Sequence, residues 1–238
     1  MAGRRLVYGR RRGRKLRPGQ RVLTDGLLPR LAFDLPASGL LDPRALFDGT
    51  PPRIWLEIGF GGGEHLARQA ERDPETGLIG CEVFENGIAR LLGHIERCRL
   101  GNIRLFIDDA RLLIEQLTQA SIDRVFILFP DPWPKRRHRK RRIVSRETLD
   151  GLARIMTDGA ELRLASDDRD YLGAMLEEVT GHPDFVWPAR RAADWRERPA
   201  DWPPTRYEEK ARAAGRRPVF LRVLRLPRRA APVSRERG

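Results

Sequence analysis

One acid, Asp131, stands between Pro130 and Pro132 at the end of the apolar run Val125-Phe-Ile-Leu-Phe, and Trp133-Pro134 follows it. Each proline fixes its own φ and restricts the residue before it, so this carboxylate sits on stiff backbone. Directly afterwards come Lys135, Arg136, Arg137, His138, Arg139, Lys140, Arg141 and Arg142, seven cations in eight residues. Phosphate is the natural counterpart of such a run. Farther upstream, Ile54-Trp-Leu-Glu57-Ile leads into Gly59-Phe-Gly61-Gly-Gly63, a glycine loop able to approach a ligand closely. Glu82, Asp109 and Asp167 each close a further short apolar segment. A fixed acid can accept hydrogen bonds from a base or stabilise a nearby cation, and a cationic run can hold a nucleic-acid backbone. Either half alone also fits an ordinary turn or a solvated charge run; their adjacency is what marks a site.

To bring those residues together the chain needs strands that end at one edge. Residues 54–58, 78–83, 103–107, 124–129, 161–165 and 219–225 read as strands. Between them lie helical spacings: 64–72 with Leu66, Ala67 and Ala70 inward, and 86–99 with Ile88, Leu91, Leu92, Ile95 and Cys98 on one face. Leu112, Leu113 and Leu117 mark a third helix. A fourth, capped by Ser145, carries Leu149, Leu152, Ile155 and Met156, and a fifth carries Tyr171, Leu172, Met175, Leu176 and Val179. Strands alternating with amphipathic helices predict an α/β fold with a mostly parallel sheet, right-handed crossovers and helices on both faces. Ligands in such sheets sit beyond the carboxyl ends of the strands, where all five acids fall.

The 238 residues suffice for one domain with a full core. Residues 1–30 read as a flexible basic arm, 31–226 as the single domain and 227–238 as a disordered basic tail. The net charge of +13 and the pI near 11.0 point to a polyanion, nucleic acid before membrane, because no long apolar or basic amphipathic segment accompanies the charge. Cys81 and Cys98 are too few for a disulfide scaffold. Neither they nor His65, His94, His138 and His182 form a C-x-x-C or H-E-x-x-H spacing, so no metal and a reducing, cytoplasmic compartment are expected. No apolar run approaches the roughly 20 residues that span a bilayer, and no obligatory protein partner is expected.

The glycine loop narrows the choice of cofactor. Counting from Gly59 the sixth position is Glu64, and from Gly61 it is Leu66, so the dinucleotide pattern G-x-G-x-x-G is absent. No G-x-x-x-x-G-K-[ST] occurs either. What stands is Glu57-x-Gly59-x-Gly61-x-Gly63, with Glu82 about 20 residues beyond the loop, the separation used for ribose hydroxyls. Acidic strand ends repel phosphates and suit a cation. S-adenosylmethionine carries a sulfonium, an ammonium and a free ribose diol, and no phosphate. By itself the glycine pattern also fits a turn that admits close helix packing.

Ile54-W-L-E-I-G-F-G-G-G-E64, Gly80-C-E-V-F84, Phe129-P-D-P-W-P-K135 with its basic run, Ser166-Asp167 followed by Tyr171, and Thr205-R-Y-E208 together resemble the bacterial TrmB-type tRNA (guanine-N7)-methyltransferases. The resemblance implies a class I, Rossmann-like methyltransferase fold with a seven-stranded sheet, S-adenosylmethionine as cofactor, and methylation of the variable-loop guanosine conventionally numbered 46. Carried over by position, it implies that Glu57, Gly59, Gly61, Gly63, Glu82, Asp109, Ala110 and Asp131 border the cofactor, with Asp131 catalytic. Lys135, Asp167, Thr205, Arg206, Tyr207 and Glu208 would meet the tRNA, and Arg136, Arg137, Arg139, Lys140, Arg141 and Arg142 its backbone. Two positions depart from the family pattern: Ser166 stands where Thr is more usual, and of the pair Asp108-Asp109 the second is preferred because Ala110 follows it.

Guanine N7 holds an in-plane lone pair and no proton, so its methylation needs alignment rather than a base; alignment can supply about 7–11 kcal/mol at best. Asp131 then fits as an acceptor for guanine N1–H and N2–H₂ and as a negative charge beside the cationic product. Tyr207 is placed to stack on a displaced base, the alternative being a core-edge aromatic, and Trp133 is read as packing. Two other readings stay open at this point: an exocyclic-amine nucleic-acid methyltransferase, and a non-catalytic RNA-binding subunit with a vestigial fold.

Overall fold

The computed structural model describes residues 11–228. Among these residues strands β1 (Arg53–Ile58), β2 (Thr76–Cys81), β3 (Ile103–Phe106), β4 (Ile122–Leu128), β5 (Met156–Ser166), β6 (Phe185–Val186) and β7 (Val219–Arg225) form one sheet. Their order is β3-β2-β1-β4-β5-β7-β6, parallel from β3 through β5 and antiparallel at β7 and β6. Strand β4 lies near the middle because it is apolar toward both sides: Val125 and Ile127 enter one core cluster, Phe126 and Leu128 the other. Helices α3 (Glu64–Arg72) and α4 (Glu85–Cys98) cover the Phe126 face with Leu66, Ala70, Ile88, Leu91 and Leu92. Helices α5 (Ala110–Gln116), α6 (Arg146–Ile155) and α7 (Arg169–Thr180) cover the Val125 face. The expected seven-stranded α/β fold is the one observed.

The helices α1 (Pro18–Gly26) and α2 (Leu28–Leu31) correct the expectation of a free arm running to residue 30. Leu23, Leu27, Leu28 and Leu31 form a helical stripe that packs on the Phe126-side core, a pattern hidden by the surrounding arginines. Asn86 Nδ2 also donates to the Arg14 carbonyl at 2.7 Å, and a Cβ on Gly13 would sit 2.3 Å from Asn86 Oδ1, so the chain lies directly on the start of α4. Residues 1–10 and 229–238, the outer parts of the expected arm and tail, lie outside the described residues. The tail's beginning is tied down, since the Arg228 guanidinium binds Asp158 and donates to the Met156 carbonyl at 2.7 Å.

Short helices α8 (Ala193–Arg196) and α9 (Arg206–Ala213) fill the Trp- and Pro-rich segment, for which the sequence pattern predicts no element. Met156, expected at a helix end, opens the long strand β5 instead. Among the described residues no helix is long and apolar enough to cross a membrane.

Candidate active site

Strand order reverses between β1 and β4, so their crossovers leave on opposite faces and the carboxyl ends part to form a cleft. This cleft, about 360 Å³, is lined by Gly59 and Gly61 after β1, Glu82 after β2, Asp108, Asp109 and Ala110 after β3, and Phe129, Asp131 and Trp133 after β4. Gly59, Gly61 and Gly63 have φ of +74°, +56° and +77°, the left-handed region that side chains disfavour. A Cβ on Gly59 would meet nothing within 4 Å, so the crest of the loop faces open space. At Gly63 it would lie 2.6 Å from Leu91 Cβ; that glycine lets α3 close on α4 and is not part of the cleft wall.

The Glu82 carboxylate pins the loop. Its Oε2 accepts from the Gly61 amide at 2.9 Å, while Oε1 accepts from Val83 at 2.7 Å and Phe84 at 3.0 Å. Burial pushes its pKa up, the backbone donors pull against that rise, and the charge on Asp131 adds to it. Asp109 caps α5, accepting from the Arg111 amide at 3.0 Å, and Asp108 in turn accepts from the Asp109 amide at 2.8 Å. Both members of the acidic pair line the cleft.

Phe129 and Trp133, the residues flanking Pro130-Asp131-Pro132, have φ of +52° and +44°. Left-handed backbone at a bulky aromatic is strained, and two such residues within one turn mark a shape held by its surroundings. Partial burial pushes the Asp131 pKa up. Trp133 is cleft wall more than packing: it lines the cavity, with the Arg141 guanidinium 4.9 Å from its ring centroid. Tyr207, 47% exposed, reaches across from α9 so that a Cβ on Gly61 would touch its Cε2 at 2.9 Å. Partial burial raises its hydroxyl pKa, and the charges on Glu82 and Asp131 add to the rise. Phe129, Pro130, Asp131 and Tyr207 also border a second cavity, of about 1020 Å³.

Several expected contacts lie elsewhere. Glu57, 3% exposed, is turned to the face of β1 opposite Ile58 and takes a 2.7 Å hydrogen bond from His65 Nδ1, so strand alternation keeps it out of the cleft. Lys135, Arg136, Arg137 and Lys140 are exposed at or beside a 3₁₀ turn, Arg136–Arg141. Arg139 pairs with Asp170 at 2.7 Å, and Arg141 stacks on Trp133 at the cleft. Arg142 is 5% exposed: it binds Asp170, donates to the Pro132 carbonyl at 2.8 Å and stacks 4.6 Å over Tyr171. It holds the Asp131 turn in place and is not presented to a phosphate. Asp167 lines the second cavity and is bound by Arg216.

Thr205 and Glu208 are 6% and 4% exposed, and Thr205 Oγ1 accepts from the Glu208 amide at 3.1 Å. The carboxylate of Glu208 is held by Arg198 at 3.2 Å and Arg212 at 3.0 Å. Thr-x-x-Glu is the signature of a helix start, a signal present in the sequence that would have located α9. These two residues thus build the helix that presents Arg206 and Tyr207, both exposed.

A family model described as "Putative methyltransferase" matches residues 52–221. A tRNA (guanine-N(7)-)-methyltransferase of Rhodospirillum rubrum is 51% identical over 230 residues, covering 94% of this chain and 89% of its own. That of Paramagnetospirillum magneticum is 51% identical over 222 residues, covering 92% of each. The chain belongs to the tRNA (guanine-N7)-methyltransferase family. Among solved structures, the 16S rRNA (adenine(1408)-N(1))-methyltransferase of Catenulisporales acidiphilia matches 80% of this chain and 94% of its own, with TM-score 0.52 at 16% identity, which shows the shared fold. In this methyltransferase the glycine loop and the Pro-Asp-Pro turn meet at the cleft. Among the described residues no group of three or more His, Cys, Asp or Glu side chains is arranged to hold a metal ion.

Proposed function

We propose that this chain methylates N7 of the variable-loop guanosine at position 46 of tRNA, drawing on S-adenosylmethionine and acting in the cytoplasm. The observation that carries the reading is the shared border of the two cavities: Asp131 and Tyr207 line both a cofactor-sized cleft and a larger chamber.

The cleft suits S-adenosylmethionine by the chemistry of its walls. Glu82, Asp108, Asp109 and Asp131 favour a cation, while Arg111 is held to Asp109 at 3.3 Å and Arg141 lies against Trp133. The open crest at Gly59 leaves room for close approach, Glu82 is the acid for the ribose diol, and Ala110 lines the same wall. When bound, S-adenosylmethionine supplies an electrophilic methyl group on a sulfonium.

Asp131 accepts from guanine N1–H and N2–H₂ and so fixes the orientation of the base. It also leaves a negative charge beside the 7-methylguanine cation as that charge develops. No residue has to remove a proton first. Tyr207 covers the glycine loop, narrows the junction against water and offers its ring to the base. Asp167, fixed by Arg216, adds an acceptor in the second chamber, and the exposed cations Lys135, Arg136, Arg137 and Lys140 approach the RNA backbone.

The test uses tRNA transcripts carrying guanosine or 7-deazaguanosine at position 46, with transferred methyl label mapped by nucleotide. Label should appear at that guanosine alone and vanish with the 7-deaza base. Label retained by the 7-deaza transcript would remove N7 as the acceptor, and label at another nucleotide would remove position 46.

A further inference from the structure

We infer that the larger chamber bordered by Asp131 contains a phosphodiester subsite, built by Arg169, Lys210 and Arg217, that grips the backbone next to the guanosine being methylated. This rests on the reading of the chain as a tRNA guanine methyltransferase, and it assigns the grip to residues outside the basic run 135–142.

The chamber is polarised. Asp131 and Asp167 stand at the strand ends of β4 and β5, whereas the cations come from the first residue of α7, the exposed side of α9 and the loop before β7. Its other acids are already engaged: Asp167 is bound by Arg216, and Asp168 Oδ1 caps α7 by accepting from the Tyr171 amide at 2.8 Å. No carboxylate among the described residues lies within ion-pair distance of Arg169, Lys210 or Arg217, and Lys210 has only the Tyr207 ring, 5.8 Å from its Nζ. Arg216, adjacent to Arg217, shows the contrast, because its charge is spent on Asp167.

Three cations with no carboxylate partner among the described residues rim one cavity, and an anion entering it supplies that partner. A guanosine phosphate has the matching polarity, with N–H donors on the base edge and negative charge on the backbone. Asp131, Tyr207 and Lys210 line this one chamber, and Lys210 Nζ lies 5.8 Å from the Tyr207 ring, so base and phosphate have their partners in the same cavity.

The experiment compares native enzyme with Arg169→Gln/Lys210→Gln/Arg217→Gln, using tRNA with ordinary or neutral methylphosphonate linkages on both sides of the target guanosine. Native enzyme should lose about tenfold or more in kcat/KM on the methylphosphonate tRNA, the scale of a lost charge-assisted contact. The triple variant should already show that loss on ordinary tRNA, suffer little more from the neutral linkages, and keep native cofactor affinity. Its salt slope should fall by roughly 0.7–0.9 per contact removed. A triple variant with native kcat/KM and slope, or one as sensitive to methylphosphonate as the native enzyme, overturns the subsite while tRNA methylation stands. A native enzyme that methylates neither tRNA overturns the underlying reading as well. All three side chains are exposed; should the triple variant still misfold, Arg169→Gln and Arg217→Gln taken singly are read by the same methylphosphonate comparison.

Discussion

The Oε2 atom of Glu82 lies 2.9 Å from the amide nitrogen of Gly61, so the acid after β2 holds the glycine loop that follows β1. One side chain thereby shapes the loop and offers its remaining lone pairs to the cleft. Glu82→Ala should weaken S-adenosylmethionine binding by ~1.5–3 kcal/mol, the value of charge-assisted bonds, with affinity for tRNA unchanged. Titration calorimetry checks this, and an unaltered cofactor affinity would take Glu82 out of the site.

Asp131→Asn should slow methyl transfer more than inosine at the target does, because an amide sets a donor against guanine's donors, whereas inosine lacks only N2–H₂. Inosine should cost roughly 1.5–3 kcal/mol, about ten- to a hundredfold. Single-turnover rates of the native enzyme should be flat between about pH 6 and 8, since nothing must be deprotonated before attack. A limb in that range which disappears in Asp131→Asn would restore a general base.

The same substitution has a stability signature. Partial burial raises the Asp131 pKa, so the folded protein holds this proton to higher pH than the unfolded chain does. The stability that the protonated form contributes is complete below the ordinary Asp range and is lost as pH rises through the raised value. The amide of Asp131→Asn cannot ionise, so the variant should gain on the native protein as pH increases from the ordinary Asp range to neutrality. Melting curves from acid to neutral pH decide this; a variant that loses ground as pH rises contradicts it.

Arg142 and its neighbours in the basic run should separate. Arg142→Ala removes the Pro132 contact and the stacking on Tyr171, and should lower stability by about 1.5–3 kcal/mol and kcat with it, leaving the salt slope of tRNA binding intact. Neutralising Arg136, Arg137 and Lys140 should do the reverse, reducing the slope by roughly 0.7–0.9 per phosphate contact at an unchanged melting temperature. Denaturant melts and binding across a salt series read the two outcomes, and an unaltered slope in the second variant would make the run a solvated loop.

Thr205 offers a test of cap against contact. Thr205→Ala should cost about 1 kcal/mol through the lost helix cap, and Thr205→Ser should restore most of it. A tRNA KM that rises in both variants without any change in melting would return Thr205 to direct substrate contact.

The sequence by itself determined the sheet and the strand ends at which the candidate site lies. The apolar run before Asp131, alternating with helical spacings, could be satisfied only by a strand buried on both faces, and Pro130 and Pro132 fixed where it stops. The glycines before α3 and the acids Glu82 and Asp109 were legible for the same reason, being local consequences of chain geometry. What the tertiary structure decided was direction and company. Glu57 shares a motif with Gly59, but strand alternation sends it to His65 instead of the cleft. Arg142 looks like one more cation in a run until Asp170, Pro132 and Tyr171 close around it, and Thr205 and Glu208 look like contacts until they are seen building α9. Arg169 and Arg217 carry no local signal at all, because their charge acquires meaning only once α7 and the loop before β7 meet at one cavity. A sequence states which groups a segment carries; which of them remain unpaired is settled by contacts between segments far apart in the chain.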